Sequence, residues 1–239
     1  MRNVITIAGK ELRSYFVTPV AYVIVAFWLG ALGIFFWGYV PDGNRLSLAP
    51  VFNVLPILLL LIAPALTMRL LAEEQRAGTL ELLLTSPVQD WAVVVGKFLG
   101  ALGLFVSMSA LTLFYPLLLS IFPGANLDWG PVWAGYVGLI CMGMAFLAVG
   151  LFASALTNNQ MVSSVIAFVI LLVLFIMGVI SQNFPPSVSG PLSKLSISER
   201  FYDFPRGVID LKSVVYYLTF TGVVLFLTVQ VVEARRYRA

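Results

Sequence analysis

The chain has 239 residues, 60% of them apolar and only 10% charged, with a formal net charge of +3 and a mean hydropathy of +0.99. A soluble fold needs about a quarter of its residues charged, so this composition excludes one and places the chain in a bilayer. The absence of histidine excludes a Ser-His-Asp triad, an HExxH zinc site and a histidine proton relay together.

Polar and charged residues recur through Arg13, so the N-terminus does not read as a cleavable signal peptide. At 100° per residue, Val4, Ile5, Ala8, Leu12, Tyr15 and Phe16 fall within about 120° of arc, with Arg2, Thr6, Lys10 and Arg13 opposite. That pattern predicts an amphipathic helix in the headgroup plane; the plainer alternative is a solvated leader before a span. Glu11 sits at the edge of the apolar arc, where it can equally face a protein partner.

Six stretches are long and apolar enough to span a membrane: about 19–40, 48–68, 91–122, 130–156, 160–182 and 213–232. Pro56, Pro64 and Pro116 can kink the second and third. Between these two spans lies a dense polar block. Arg69, Glu73 and Arg76 share one face if the second helix continues past the membrane. Gly78 supplies a left-handed helix stop, and Thr79 caps a short helix through Leu80, Glu81, Leu82, Leu83 and Leu84. Ser86, Pro87 and Gln89 form a capping box that starts the third span. The leucines of this segment need a cover of headgroups, the chain's own helices or another protein.

The third span is longer than one crossing requires, and its Gly96 and Gly100 form a GxxxG that admits a close helix neighbour. The fourth and fifth are separated by a polar turn, Thr157 to Gln160. Cys141 lies in an apolar run, packs there, and as the single cysteine cannot form an intrachain disulfide. The stretch 181–212 carries Pro185, Pro186, Pro191 and Pro205, and its aromatics Phe201, Tyr202 and Phe204 alternate with charges up to Arg206. It reads either as a short amphipathic helix on the membrane surface or as a lid or docking surface at the outer mouth, with Phe201, Tyr202, Phe204 and Arg206 as its contacts.

Of the 14 Lys and Arg residues, nine fall on the side of the N-terminus and five on the other, which favours both termini inside. The small net charge is topogenic and gives no sign of nucleic-acid binding. No span carries an ionisable residue near its middle, which argues against a proton-coupled transporter or a voltage sensor. No ATP site is encoded either: the Gly-Lys pairs are Gly9-Lys10 and Gly96-Lys97, and a P-loop would need glycine at the positions of Val4 and Trp91.

The segment "EEQRAGTLELLLTSPVQDWAVVVGKFLGA" resembles the coupling segment of permease subunits of type-2 ABC exporters, most like the gliding-motility-associated branch. "KELRSYFVTPVAYV", "GLFASALTNNQ" and "FPRGVIDLKSVVYYL" extend the likeness over nearly the whole length. The resemblance implies an all-α integral membrane permease with six transmembrane helices, an N-terminal interfacial helix and a cytoplasmic coupling helix between spans 2 and 3, in a bacterial inner membrane. It implies that Glu73, Glu74, Arg76, Gly78, Thr79, Glu81, Leu82 and Leu83 lie at or near the contact with a separate ABC ATPase dimer. Lys10 and Glu11 lie on the connecting helix beside it. It further implies ATP and Mg on that partner, none on this chain, a second permease copy or related subunit, and a larger membrane-anchored auxiliary protein with an extracytoplasmic domain. Motion of the ATPase would tilt the second and fifth spans and drive export. The alternatives are a device that acts on extracytoplasmic proteins without moving cargo, and an ATPase-independent carrier.

Overall fold

The computed structural model describes residues 2–39, 48–78, 89–121, 127–181 and 196–236. All regular structure among them is helical. α1 (Arg2–Val17) is followed at once by α2 (Pro19–Tyr39). Proline lacks the N–H that would extend the ladder of α1 but fits the first turn of a new helix, so Pro19 re-aims the chain there. α3 (Ala49–Thr67) ends in a four-residue turn before the short α4 (Ala72–Arg76). The third span is two pieces, α5 (Asp90–Leu111) and α6 (Phe114–Ile121). α7 (Trp129–Leu156) and α8 (Gln160–Ser181) follow, then two 3-10 turns (Glu199–Phe201 and Phe204–Arg206) and α9 (Leu211–Arg236). Among the described residues six segments are long and apolar enough to cross a membrane, and with the amphipathic α1 they make the chain an all-α integral membrane protein.

α7 is the axis of the bundle. Most of its length is buried, and its small residues seat the side chains of its neighbours: Phe52 of α3 against Gly135, Phe105 of α5 against Gly143, and Thr67 of α3 against Gly150. α2, α8 and α9 bury far less and expose Trp37, Val165 and Phe226, as helices that face lipid or another chain do. The break between α5 and α6 follows from Pro116. A proline cannot bond the carbonyl four residues back, that of Thr112, and the Tyr115 N–H takes that carbonyl in a tighter turn at 3.1 Å. The turn between α7 and α8 is held by Asn159, whose side-chain oxygen accepts from the Met161 N–H at 2.9 Å.

Three local expectations change. The second helix does not run on to Arg76; it stops at Thr67 and resumes at Ala72. The third span does not start at Pro87, because Gln89 is extended and the helix begins at Asp90. Residues 199–206 form two 3-10 turns with Phe201 and Phe204 fully buried, not a helix resting on a surface. The proposed short helix 79–84 lies outside the described residues.

Candidate functional site

Most of the charged residues among those described lie at the end of the bundle where α1 and the last turn of α9 meet α4. α1 is brought there by the two glycines of the GxxxG. A Cβ at Gly96 would stand 2.8 Å from Ile7 Cβ, and one at Gly100 would stand 2.5 Å from Glu11 Cβ. Only glycine lets α1 lie that close. The packed face of α1 therefore runs through Val4, Ile7, Glu11 and Tyr15, while Ile5 and Phe16, assigned to the apolar arc, are exposed.

Between those glycines stands Lys97, 2% exposed. Its Nζ lies 2.7 Å from Glu11 Oε1 and 2.8 Å from Glu74 Oε1. One buried ammonium thus joins three elements: α1, α4 and the start of α5. The aliphatic stem of lysine suits this path through apolar packing, with the charge delivered at its end. A buried ion pair contributes little net stability against an apolar replacement, but loss of one partner leaves an uncompensated charge at about 3–5 kcal/mol. The triad is therefore expensive to break and specific in geometry.

A second anchor of α1 is Tyr15, whose hydroxyl donates to the Leu66 carbonyl at 2.6 Å. Burial pushes its phenol well above the ordinary range, the Glu11 carboxylate adds to the shift and Arg69 opposes it. α1 and the α3–α4 junction enclose a cleft of ≈ 380 Å³ lined by Lys10, Glu11, Arg69, Glu73, Glu74 and Lys97, among others. Three cations and three carboxylates in one cleft suit a partner that presents charges of both signs. Among the described residues no cluster of three side chains could hold a metal ion.

The other side of α4 is tied to α7 and α9 by neutral or single-charge hydrogen bonds. Ser154 Oγ accepts from the N–H groups of Leu71 and Ala72, both at 3.0 Å, and donates to the Met68 carbonyl at 3.2 Å. That hydroxyl takes donors that a continuous helix would have used, which explains the interruption at residues 68–71. Gln75 donates to the Ala155 carbonyl at 3.1 Å and accepts from Arg235 Nη1 at 3.0 Å. Arg235 Nη2 donates to the Leu156 carbonyl at 2.7 Å. After α4 the chain turns at Gly78, with φ +67, the left-handed stop expected from the sequence.

The structure thus joins Glu11 and Glu74 directly, sets Lys10 and Glu73 on the cleft rim, and leaves Arg76 and Gly78 exposed beside it. Thr79, Glu81, Leu82 and Leu83 lie outside the described residues. Phe201 and Phe204 sit in the bundle at its opposite end, where a Cβ at Gly138 would lie 2.5 Å from Phe204 Cγ. Only Tyr202 and Arg206 of that group remain exposed. Sequence reasoning missed the roles of Lys97, Gln75, Ser154 and Arg235. Lys97 had a signal: it is a lone cation inside a GxxxG, where a close helix neighbour excludes water.

An apolar groove of ≈ 300 Å³ opens between α3 and α8, lined by Leu61, Pro64, Ala65, Met68, Val165 and Phe168. It offers apolar contact and no charge. A family model described as ABC-2 family transporter protein matches residues 6–204. No curated protein matches the chain.

Proposed function

The chain belongs to the ABC-2 transporter family and is a multi-pass permease subunit of an ABC transporter; on that premise we propose that it transmits ATPase motion from the segment after α4 to the bundle and so drives export. The observation that carries this reading is the position of α4. It is fastened to α1 and α5 on one side and to α7 and α9 on the other, and Gly78 then turns the chain directly into the segment 79–88. A push on that segment has mechanical contact with four helices. The absence of a P-loop in the sequence supports placing ATP and Mg on the partner ATPase.

The excess of Lys and Arg at this end supports a cytoplasmic location for it and for both termini, in an inner membrane. The apolar groove between α3 and α8 and the exposed faces of α2, α8 and α9 support pairing with a second permease. The four quoted sequence segments support the gliding-motility-like branch and, with it, an auxiliary protein outside the membrane.

A pull-down in mild detergent tests the reading, comparing the wild type with a Gly78→Pro, Glu81→Lys variant. A P-loop ATPase captured by the wild type and lost from the folded variant supports docking at this segment. Equal capture by both moves the contact elsewhere. A wild-type complex that survives extraction with no ATPase overturns the reading in favour of an independent carrier.

A further inference from the structure

We propose that α1, α4 and the first turns of α5 move as one rigid lever pinned by Lys97, and that the Ser154–Gln75–Arg235 side of α4 is its hinge against the rest of the bundle. The inference rests on the preceding reading for the source of the force, though not for the rigidity of the lever.

The two sides of α4 differ in what it takes to break them. On the lever side, the Lys97 ammonium is 2% exposed and holds Glu11 and Glu74 at 2.7 and 2.8 Å. Separation of either carboxylate strands charge in a buried place. Packing blocks sliding as well, because the side chains of Ile7 and Glu11 fill the space that a Cβ would occupy at Gly96 and Gly100. The joint therefore has one geometry.

On the hinge side the links of Gln75 and Arg235 are exchangeable, and the buried Ser154 hydroxyl is the pivot beside them. Ser154 serves two N–H donors and one carbonyl with a single hydroxyl, and it replaces helical hydrogen bonds over the turn at 68–71. The Gln75 amide and the Arg235 guanidinium, both partly exposed, can trade these partners for water without leaving a buried ion. The Tyr15 to Leu66 hydrogen bond also links α1 to the last turn of α3, so on this proposal the swing turns about that point. A force on the chain beyond Gly78 then swings α1, α4 and the start of α5 together against the end of α7, and Arg235 passes the motion to α9.

The test uses the full chain in lipid nanodiscs with its co-purified ATPase, Cys141 replaced by alanine, and spin labels at two pairs of exposed positions. Gly9→Cys with Ala77→Cys spans the lever; Ala77→Cys with Asn158→Cys spans the hinge. A Cβ at Gly9 meets nothing within 4 Å, so that label enters without a clash. Electron paramagnetic resonance distances are compared between the nucleotide-free complex and the complex trapped with ATP, Mg and vanadate. The Gly9–Ala77 distance is expected to stay single and narrow, changing by less than about 2 Å, while Ala77–Asn158 shifts by more. Lys97→Met is expected to broaden or split the Gly9–Ala77 distribution.

A Gly9–Ala77 distance that shifts on trapping overturns the lever, and an Ala77–Asn158 distance that does not shift overturns the hinge. If Lys97→Met fails to fold, Glu74→Gln, which keeps the Lys97–Glu11 pair, carries the comparison; a distribution as narrow as wild type in the folded variants overturns the pin. Absence of a captured ATPase defeats the reading of the preceding subsection, whereas the comparison of Lys97 with its variants in the permease alone still decides the pin.

Discussion

The ammonium of Lys97 lies 2.8 Å from the carboxylate of Glu74, although the whole segment 79–88 separates the two residues in sequence. The pair fixes where α4 stands against the third span, and Glu11 closes the triad from α1. Lys97→Ala leaves two carboxylates near each other without their cation and is expected to destabilise the protein by about 3 kcal/mol. The triple variant Lys97→Met, Glu11→Gln, Glu74→Gln removes all the charges together and should lie closer to wild type. Thermal unfolding of both in detergent checks the order; a single variant no worse than the triple contradicts the account.

The contact of α1 with α5 depends on the size of one residue. Gly100→Val places side-chain atoms where Glu11 Cβ stands, an overpacking worth about 1–3 kcal/mol. α1 should lift, and trypsin should cut faster at Lys10 and Arg13. Gly9→Ala, which meets open space within a helix, should leave the cleavage rate unchanged and improve stability by about 0.5–1 kcal/mol.

Tyr15 gives the pH response of the same contact. Its phenol is held above the ordinary range by burial, so the folded state keeps this proton while an unfolded tyrosine loses it near pH 10. The contribution is full below that pH and falls as pH rises above it. Absorbance titration at 295 nm should show Tyr15 among the tyrosines that ionise later than the exposed ones, and Tyr15→Phe should lower that late amplitude by the share of one phenol. A late amplitude unchanged in Tyr15→Phe contradicts the assignment.

At the opposite end, Phe204 and Arg206 are two residues apart and differ completely in burial. Phe204→Ala opens a cavity beside Gly138 and should cost about 3–5 kcal/mol. Arg206→Ala should stay within about 0.5 kcal/mol. If Arg206→Ala nonetheless reduces transport in proteoliposomes at unchanged stability, its exposed charge serves a docking role at the outer mouth.

Much of this architecture was legible because its causes are local. Hydropathy over some twenty residues reveals a span whatever its neighbours do, and the polar turn at 157–160 and the left-handed Gly78 follow from side-chain chemistry at those positions. The break at 68–71 was not legible, because the hydroxyl that replaces its helical hydrogen bonds belongs to Ser154, on α7. The inward aim of Phe201 and Phe204 was equally hidden, since an alternation of aromatics and charges suits a membrane surface and a plugged mouth alike.

By itself the sequence determined a histidine-free, P-loop-free membrane chain with six apolar spans, a charged segment between the second and third, and a GxxxG ready for a close neighbour. Only the tertiary structure decided which helix that neighbour is and what Lys97 does. A lysine near the end of a span can reach water or pair within the protein, and both outcomes fit the same string of residues. The choice was made by α1, which covers Lys97 through Gly96 and Gly100 and brings Glu11 to meet it, while α4 supplies Glu74 from the other side.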